Sequence, residues 1–244
     1  MSLAASYYIK QVFRFTGDFL HIASKVVLIR KISRTKSCSG LSLKTQFLYG
    51  MVFVLRYIDL FRFYPNSLLS VYNSLMKILF IGFQALILFT MRFKYFGTYD
   101  RKWDKFNILM LIIPCFLISM IFTKSSSGAE EFSFVGYAYG VTYTMSLLLE
   151  SVAILPQLVQ LQEAGESETM TSRYILLLGL YRAAYTVYFA IRKIFEEKDK
   201  VPTSLPLACG IIQTLLYVDF FAIYYRYVFR RSGISDDLGK KSEL

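Results

Sequence analysis

The chain has 244 residues, 55% apolar and 17% aromatic, too much hydrophobic surface for an ordinary soluble domain and too few residues for a membrane region plus a separate globular one. Its formal charge of +11 would suggest nucleic acid in a soluble protein; among recurrent apolar runs it reads instead as basic loops beside a lipid bilayer, with no nucleic-acid partner. Three scattered cysteines (Cys38, Cys115, Cys209) and one histidine exclude a disulfide framework and a metal centre, and no catalytic or phosphate-binding motif occurs, so neither an enzyme nor a cofactor is expected.

Apolar periodicity predicts an all-α membrane protein, a single domain of seven transmembrane helices at about 11–30, 41–61, 68–91, 106–123, 134–160, 172–192 and 204–229, with a tail over 230–244. The first segment carries Asp18, His21 and Lys25 and lacks a small-residue cleavage site, so it is expected to be retained as a helix. Segments after the first, third, fifth and seventh helices hold 15 lysines and arginines against 8 on the opposite side, which predicts a lumenal N-terminus and a cytosolic C-terminus.

Within the first span Arg14, Asp18 and His21 recur at i, i+4 and i+7, on one face. A lone histidine is commonly a packing residue. In a membrane span beside two charges, with an ordinary pKa of about 6.5, His21 is also the best candidate for a proton switch. The second span, 41–61, ends in Arg56 and Asp59, three apart. Such a pair either neutralises itself locally or points into a polar cavity to meet a ligand bearing both signs.

The fifth span contains Glu150, expected to be hydrogen-bonded, followed by Pro156-Gln157. The proline removes a backbone donor and kinks the helix, and the glutamine amide can rebind the freed carbonyl or a neighbouring helix. In the sixth span Tyr181, Tyr185 and Arg192 lie near one face while Arg182 is expected to point elsewhere and snorkel; the seventh carries Gln213 and Asp219. Ser42-x-Lys44-x3-Leu48-x-Gly50 and Thr171-x-Arg173-x3-Leu177-x-Gly179 open the second and sixth spans alike, which suggests two three-helix halves joined by the fourth helix.

Several blocks resemble the KDEL receptor (ER lumen protein-retaining receptor) family: Phe13-Arg14-Phe15-x2-Asp18-x2-His21, Arg56-Tyr57-Ile58-Asp59-Leu60-Phe61, Glu150-Ser151-Val152-Ala153-Ile154-Leu155-Pro156-Gln157-Leu158 and Gln213-Thr214-x2-Tyr217-x-Asp219. The resemblance covers about residues 11–230. It implies a SWEET-like, PQ-loop 3+1+3 arrangement of two three-helix bundles. It also implies a pH-dependent receptor that binds C-terminal KDEL- or HDEL-type signals of escaped ER lumenal proteins in the cis-Golgi and returns them in COPI vesicles.

By the same resemblance Arg56 and Tyr57 hold the peptide's terminal carboxylate, Arg14 its glutamate, Arg192 its aspartate and Asp59 the cationic residue fourth from its end. Tyr143 and Tyr185 complete the pocket. His21 senses pH, with Glu150, Tyr181 and Asp219 in the lock, and Arg226, Arg230, Arg231, Lys240 and Lys241 are candidate contacts for the COPI coat. An ungapped alignment puts Gly140 and Tyr143 where the family usually has a glutamate and a tryptophan. The closing Lys241-Ser242-Glu243-Leu244 looks like a retrieval signal by coincidence. Alternatives are a PQ-loop small-solute transporter, from Pro156-Gln157 and the repeat, and a receptor paralogue that has lost cargo binding, from Gly140.

Overall fold

A computed structural model describes the backbone of residues 3–62, 67–126, 134–164, 169–195 and 204–241, and the side chains of 6–60, 67–123, 134–164, 173–195 and 204–222. The helices are α1 (Leu3–Thr35), α2 (Leu43–Arg56), α3 (Leu68–Phe89), α4 (Leu109–Ser126), α5 (Phe134–Val152), α6 (Leu155–Ala164), α7 (Thr169–Phe195) and α8 (Ser204–Lys241), with no strand among the described residues. Four stretches, Leu68–Lys94, Phe134–Ala164, Arg173–Phe195 and Ser204–Ala222, are long and apolar enough to cross a membrane, and Leu109–Thr123 is a shorter apolar helix. By composition α1 falls short of that standard because its polar residues face inward. Asp18, His21, Ser24 and Lys25 are buried while Val12, Phe15 and Phe19 are exposed, the inverse of a soluble helix and the pattern a bilayer selects.

The start of α2 is set by a tight local latch. Gly40 sits at φ +72°, a left-handed conformation that a side chain would strain, and Leu41 N–H donates to Cys38 C=O. Ser42 caps the helix by accepting from Thr45 N–H and donates to Asp104, which also accepts from Lys44 N–H and the Tyr99 hydroxyl. Two further contacts close the same loop: Lys31 Nζ donates to Ser39 C=O, and Asp100 accepts from Gly40 N–H.

The fifth span is broken. Pro156, near the start of α6, lacks only an N–H that the first turn of a helix does not use. Gln157 ties the break to the α2 latch: its Oε1 accepts from Ser42 N–H (2.8 Å), its Nε2 donates to Gly40 C=O (2.9 Å), and its N–H reaches Thr45 Oγ1 (2.9 Å). The amide the sequence offered to a neighbouring helix thus holds the loop in front of one.

Among α1–α3, α3 packs against both α1 and α2; among α5, α7 and α8, α8 packs against both α5 and α7. The two triplets meet through α1 with α7 and α2 with α5, while α4 lies against α5. Exchanging α1 with α5, α2 with α7 and α3 with α8 maps the contacts among these six helices onto themselves, with α4 outside the exchange, as a 3+1+3 duplication requires.

Side chains follow the same rule. Gly50 and Gly179, Gln84 and Gln213, Leu88 and Tyr217, and His21 and Glu150 are each 129 residues apart. Gly50 lets Leu88 approach (an added Cβ would lie 3.0 Å from its Cδ1), and Gly179 lets Tyr217 approach in the same way (3.3 Å from its Cβ). Both glutamines are buried.

Candidate ligand-binding site

Between the two triplets lies a cavity of about 170 Å³, to which four helices contribute polar groups: His21 from α1, Arg56 at the end of α2 with Tyr57 just beyond it, Tyr143 and Glu150 from α5, and Tyr181, Arg182 and Tyr185 from α7. Glu150 is 2% exposed. Its carboxylate pairs with Arg56 Nη1 at 2.7 Å and with Arg182 Nη1 at 3.1 Å, and Tyr181 OH donates to Oε1 at 3.2 Å. An isolated carboxylate could not be buried here; two guanidiniums and a phenol compensate it and leave the cluster one positive charge in excess. Arg56 is oriented further by Ser146, whose Oγ accepts from Nε and whose C=O accepts from Nη2.

His21 is 4% exposed and stacks flat on Tyr181, with ring centroids 4.2 Å apart and planes 5° apart. Phe80 closes its other side at 4.6 Å. Its Nε2 has no hydrogen-bond partner among the described residues. Since Tyr181 contacts both the imidazole and Glu150, a change of charge at His21 is felt directly at the α5–α7 contact.

One turn from His21 toward the α1 N-terminus, Asp18 accepts from Tyr72 OH on α3 (2.8 Å) and from Tyr185 OH on α7, tying three helices together. Arg14, one turn further, donates to Asn73 on α3. At the mouth, the Lys10 ammonium is held below its ordinary pKa by burial and by the charges of Arg192 and Arg14, so three cations share this end of the site.

Several expectations need correction. Arg56 and Asp59 do not pair and share no helix face, because α2 ends at Arg56 and Asp59 falls in a 3₁₀ turn, Ile58–Arg62. Asp59 pairs instead with Lys77 Nζ at 2.5 Å. Arg182 does not snorkel; it is 3% exposed and bonded to Glu150. Asp219 is exposed and joins no hydrogen bond or ion pair of the Glu150–Tyr181 cluster.

Gly140 backs onto α4, where an added Cβ would lie 2.8 Å from Thr123 Cγ2, whereas Tyr143 lines the cavity. Arg226, Arg230, Arg231, Lys240 and Lys241 lie outside the described side chains. Sequence reasoning missed Tyr72, Asn73, Lys77 and Ser146. Lys77, a charge inside an apolar run, was the available signal; the other three are too common at such positions to stand out. Among the described residues no group of three His, Cys, Asp or Glu could hold a metal.

Residues 37–192 match the model of a family described as ER lumen protein retaining receptor. An ER lumen protein-retaining receptor of Kluyveromyces lactis is 43% identical over 228 residues, 91% of this chain and 96% of that one. One from Drosophila melanogaster is 38% identical over 233 residues (96% and 98%), and ER lumen protein-retaining receptor 2 of Homo sapiens is 37% identical over 224 (92% and 98%).

Proposed function

The chain belongs to the ER lumen protein retaining receptor family, and from that we infer that it is a receptor, not an enzyme, that captures escaped ER lumenal proteins by a C-terminal Lys/His-Asp-Glu-Leu signal and returns them to the ER. The observation that carries the reading is the buried arrangement of Arg56, Arg182, Glu150, Tyr181 and His21 beneath a mouth where Lys10, Arg14 and Arg192 gather. A tetrapeptide of this kind brings three carboxylates, and excess positive charge inside a membrane protein calls for such a ligand.

Arg56 ends α2 with its fork aimed at Glu150, so an incoming terminal carboxylate competes for a guanidinium that already binds one. The glutamate of the signal is assigned to Arg14 and its aspartate to Arg192, with Tyr57, Tyr143 and Tyr185 as walls. Asp59, held by Lys77 without ligand, exchanges that partner for the cationic residue at the fourth place from the peptide's end.

The direction of the pH effect follows from charge. A ligand with three carboxylates favours the imidazolium form of His21, so binding takes up a proton and affinity rises as pH falls. Protonation beside Tyr181 loosens the α5–α7 lock through Glu150, and the tail then presents its basic residues, Arg226, Arg230, Arg231, Lys240 and Lys241, to the COPI coat. This cycle needs the N-terminus in the lumen and the tail in the cytosol, with loading in the cis-Golgi and release in the ER.

Purified full-length protein titrated with a labelled peptide ending in His-Asp-Glu-Leu should bind at about pH 5.5 and weaken at least tenfold at about pH 7.5, with His21→Ala abolishing the difference. Absence of binding at the lower pH removes the reading; pH-dependence that survives His21→Ala removes the switch.

A further inference from the structure

Lys25 takes no part in the scheme above, yet it is among the most deeply placed charges in the molecule. Its side chain is 0% exposed, one turn past His21 on the inner face of α1. Its Nζ has no hydrogen-bond partner among the described residues. It rests instead over the ring of Tyr49, 4.6 Å from the centroid, and near that of Phe53, at 5.5 Å. Phe53 also faces the His21 ring at 5.6 Å, so the ammonium and the imidazole flank one aromatic side chain.

The titratable groups around Lys25 and His21 are few. On its own helix the titratable neighbours in the core are His21 and, one turn beyond it, Asp18. From α2 come Tyr49 and Arg56, from α5 Glu150, from α7 Tyr174, Tyr181 and Arg182, and from α8 Tyr217. From α3, Phe80 closes this region and brings no charge. Two carboxylates thus stand near this region among the described residues: Glu150, which two guanidiniums already share, and Asp18, which lies on the far side of His21 from Lys25 and is taken up by two phenols. Aromatic faces hold an ammonium more firmly when water is excluded, but they do not screen it from another cation. With Arg56, Arg182 and Lys25 charged around Glu150, an imidazolium at His21 adds a fourth positive charge to a nearly dry space in which Asp18 is the other carboxylate.

We propose that Lys25 sets the pH at which this site switches: its ammonium, one turn from His21 with Phe53 between them, opposes the imidazolium and so delays loading until the compartment is acidic or an anionic ligand has arrived. The proposal rests on His21 being the switch. It makes Lys25 a positioning charge that never touches the ligand and that moves the pH window of loading to lower values than an isolated histidine in the same cavity would have.

His21 is the chain's single histidine, so ¹³C-labelled histidine in the full-length, detergent-solubilised protein reports one imidazole without any ligand. Lys25→Met keeps the length of the side chain and removes its charge; Lys25→Arg keeps a permanent charge. In Lys25→Met the pH midpoint of the His21 resonance should rise by about one unit, and in Lys25→Arg it should stay or fall. Equal midpoints in wild type and Lys25→Met overturn the proposal, as does a rise of the same size in Lys25→Arg. The same proteins titrated with the labelled peptide should show binding midpoints that move in parallel. A wild type that binds no peptide at any pH sinks the retrieval reading, while the histidine resonance still decides the role of Lys25.

Discussion

Glu150 concentrates most of the local energetics of the site. It is shared by Arg56 and Arg182 and bonded by Tyr181, so Glu150→Gln leaves the buried Arg182 and the half-buried Arg56 without a counter-charge. The expected cost is about 4 kcal/mol, a fall in Tm of about 10 °C by thermal unfolding in detergent, and adding Arg182→Met to that variant should restore part of it. Glu150 and Tyr181 could be singled out from the sequence because a carboxylate in an apolar run demands partners. Which arginines answer it could not. Arg56 reaches across to another helix, and Arg182, adjacent to Tyr181 and so turned about 100° from it on a helical wheel, still reaches inward because its side chain is long. Spacing rules see neighbours on one helix and are blind to partners far away in the chain, and here α2 ends before Asp59 can be such a neighbour. A separate residue-scale outcome concerns Cys38. Burial pushes its thiol up to about 11, against the smaller opposing influence of Lys31 and Thr98. Because the thiolate is the nucleophile, Cys38 should resist maleimide at about pH 7–8, and rapid labelling in the folded protein would show that the loop before α2 opens.

At the scale of elements, the Pro156-Gln157 break and the α2 latch work as one joint. Replacing Gln157 with Leu strands Ser42 N–H and Gly40 C=O without their partner, which should cost about 3 kcal/mol and expose the 36–42 loop to limited proteolysis. A kink at the proline was readable, since the missing donor and the ring clash are local. That the helix splits into α5 and α6, and that the amide holds a loop 115 residues earlier in the chain, depended on how the halves dock. The α1–α7 contact offers a sharper test of site geometry. At Gly17 an added Cβ would lie 2.8 Å from Tyr185 Cδ2, so Gly17→Val should push Tyr185 off Asp18 and weaken peptide binding at least tenfold while leaving the helical circular dichroism unchanged.

For the molecule as a whole, the first clue to duplication was the pair of matching helix starts, and packing explains why it persisted there. Gly50 and Gly179 are required wherever the third helix of a triplet comes close, whereas positions facing the cavity have diverged. The fold class was therefore visible in apolar runs and two glycines, while the neighbour relations that make it a 3+1+3 bundle required coordinates. Beyond the cavity Tyr49, Tyr174, Tyr217 and Lys25 are all at most 2% exposed, and Tyr49 and Tyr217 join across the interface through a 3.1 Å hydrogen bond. That plug argues for a receptor over a conduit, and proteoliposomes containing the protein should pass no small polar solute above the rate of empty vesicles.

His21 and Glu150 occupy equivalent places in the two triplets, on either side of the exchange that relates them. Had both copies kept the same residue, these two positions would offer the same chemistry from either side of the hollow. A base in one copy and an acid in the other give the hollow a polarity, so one end of a bound chain can be told from the other. Broken symmetry, rather than any single contact, is what allows a pseudo-symmetric bundle to read a terminus.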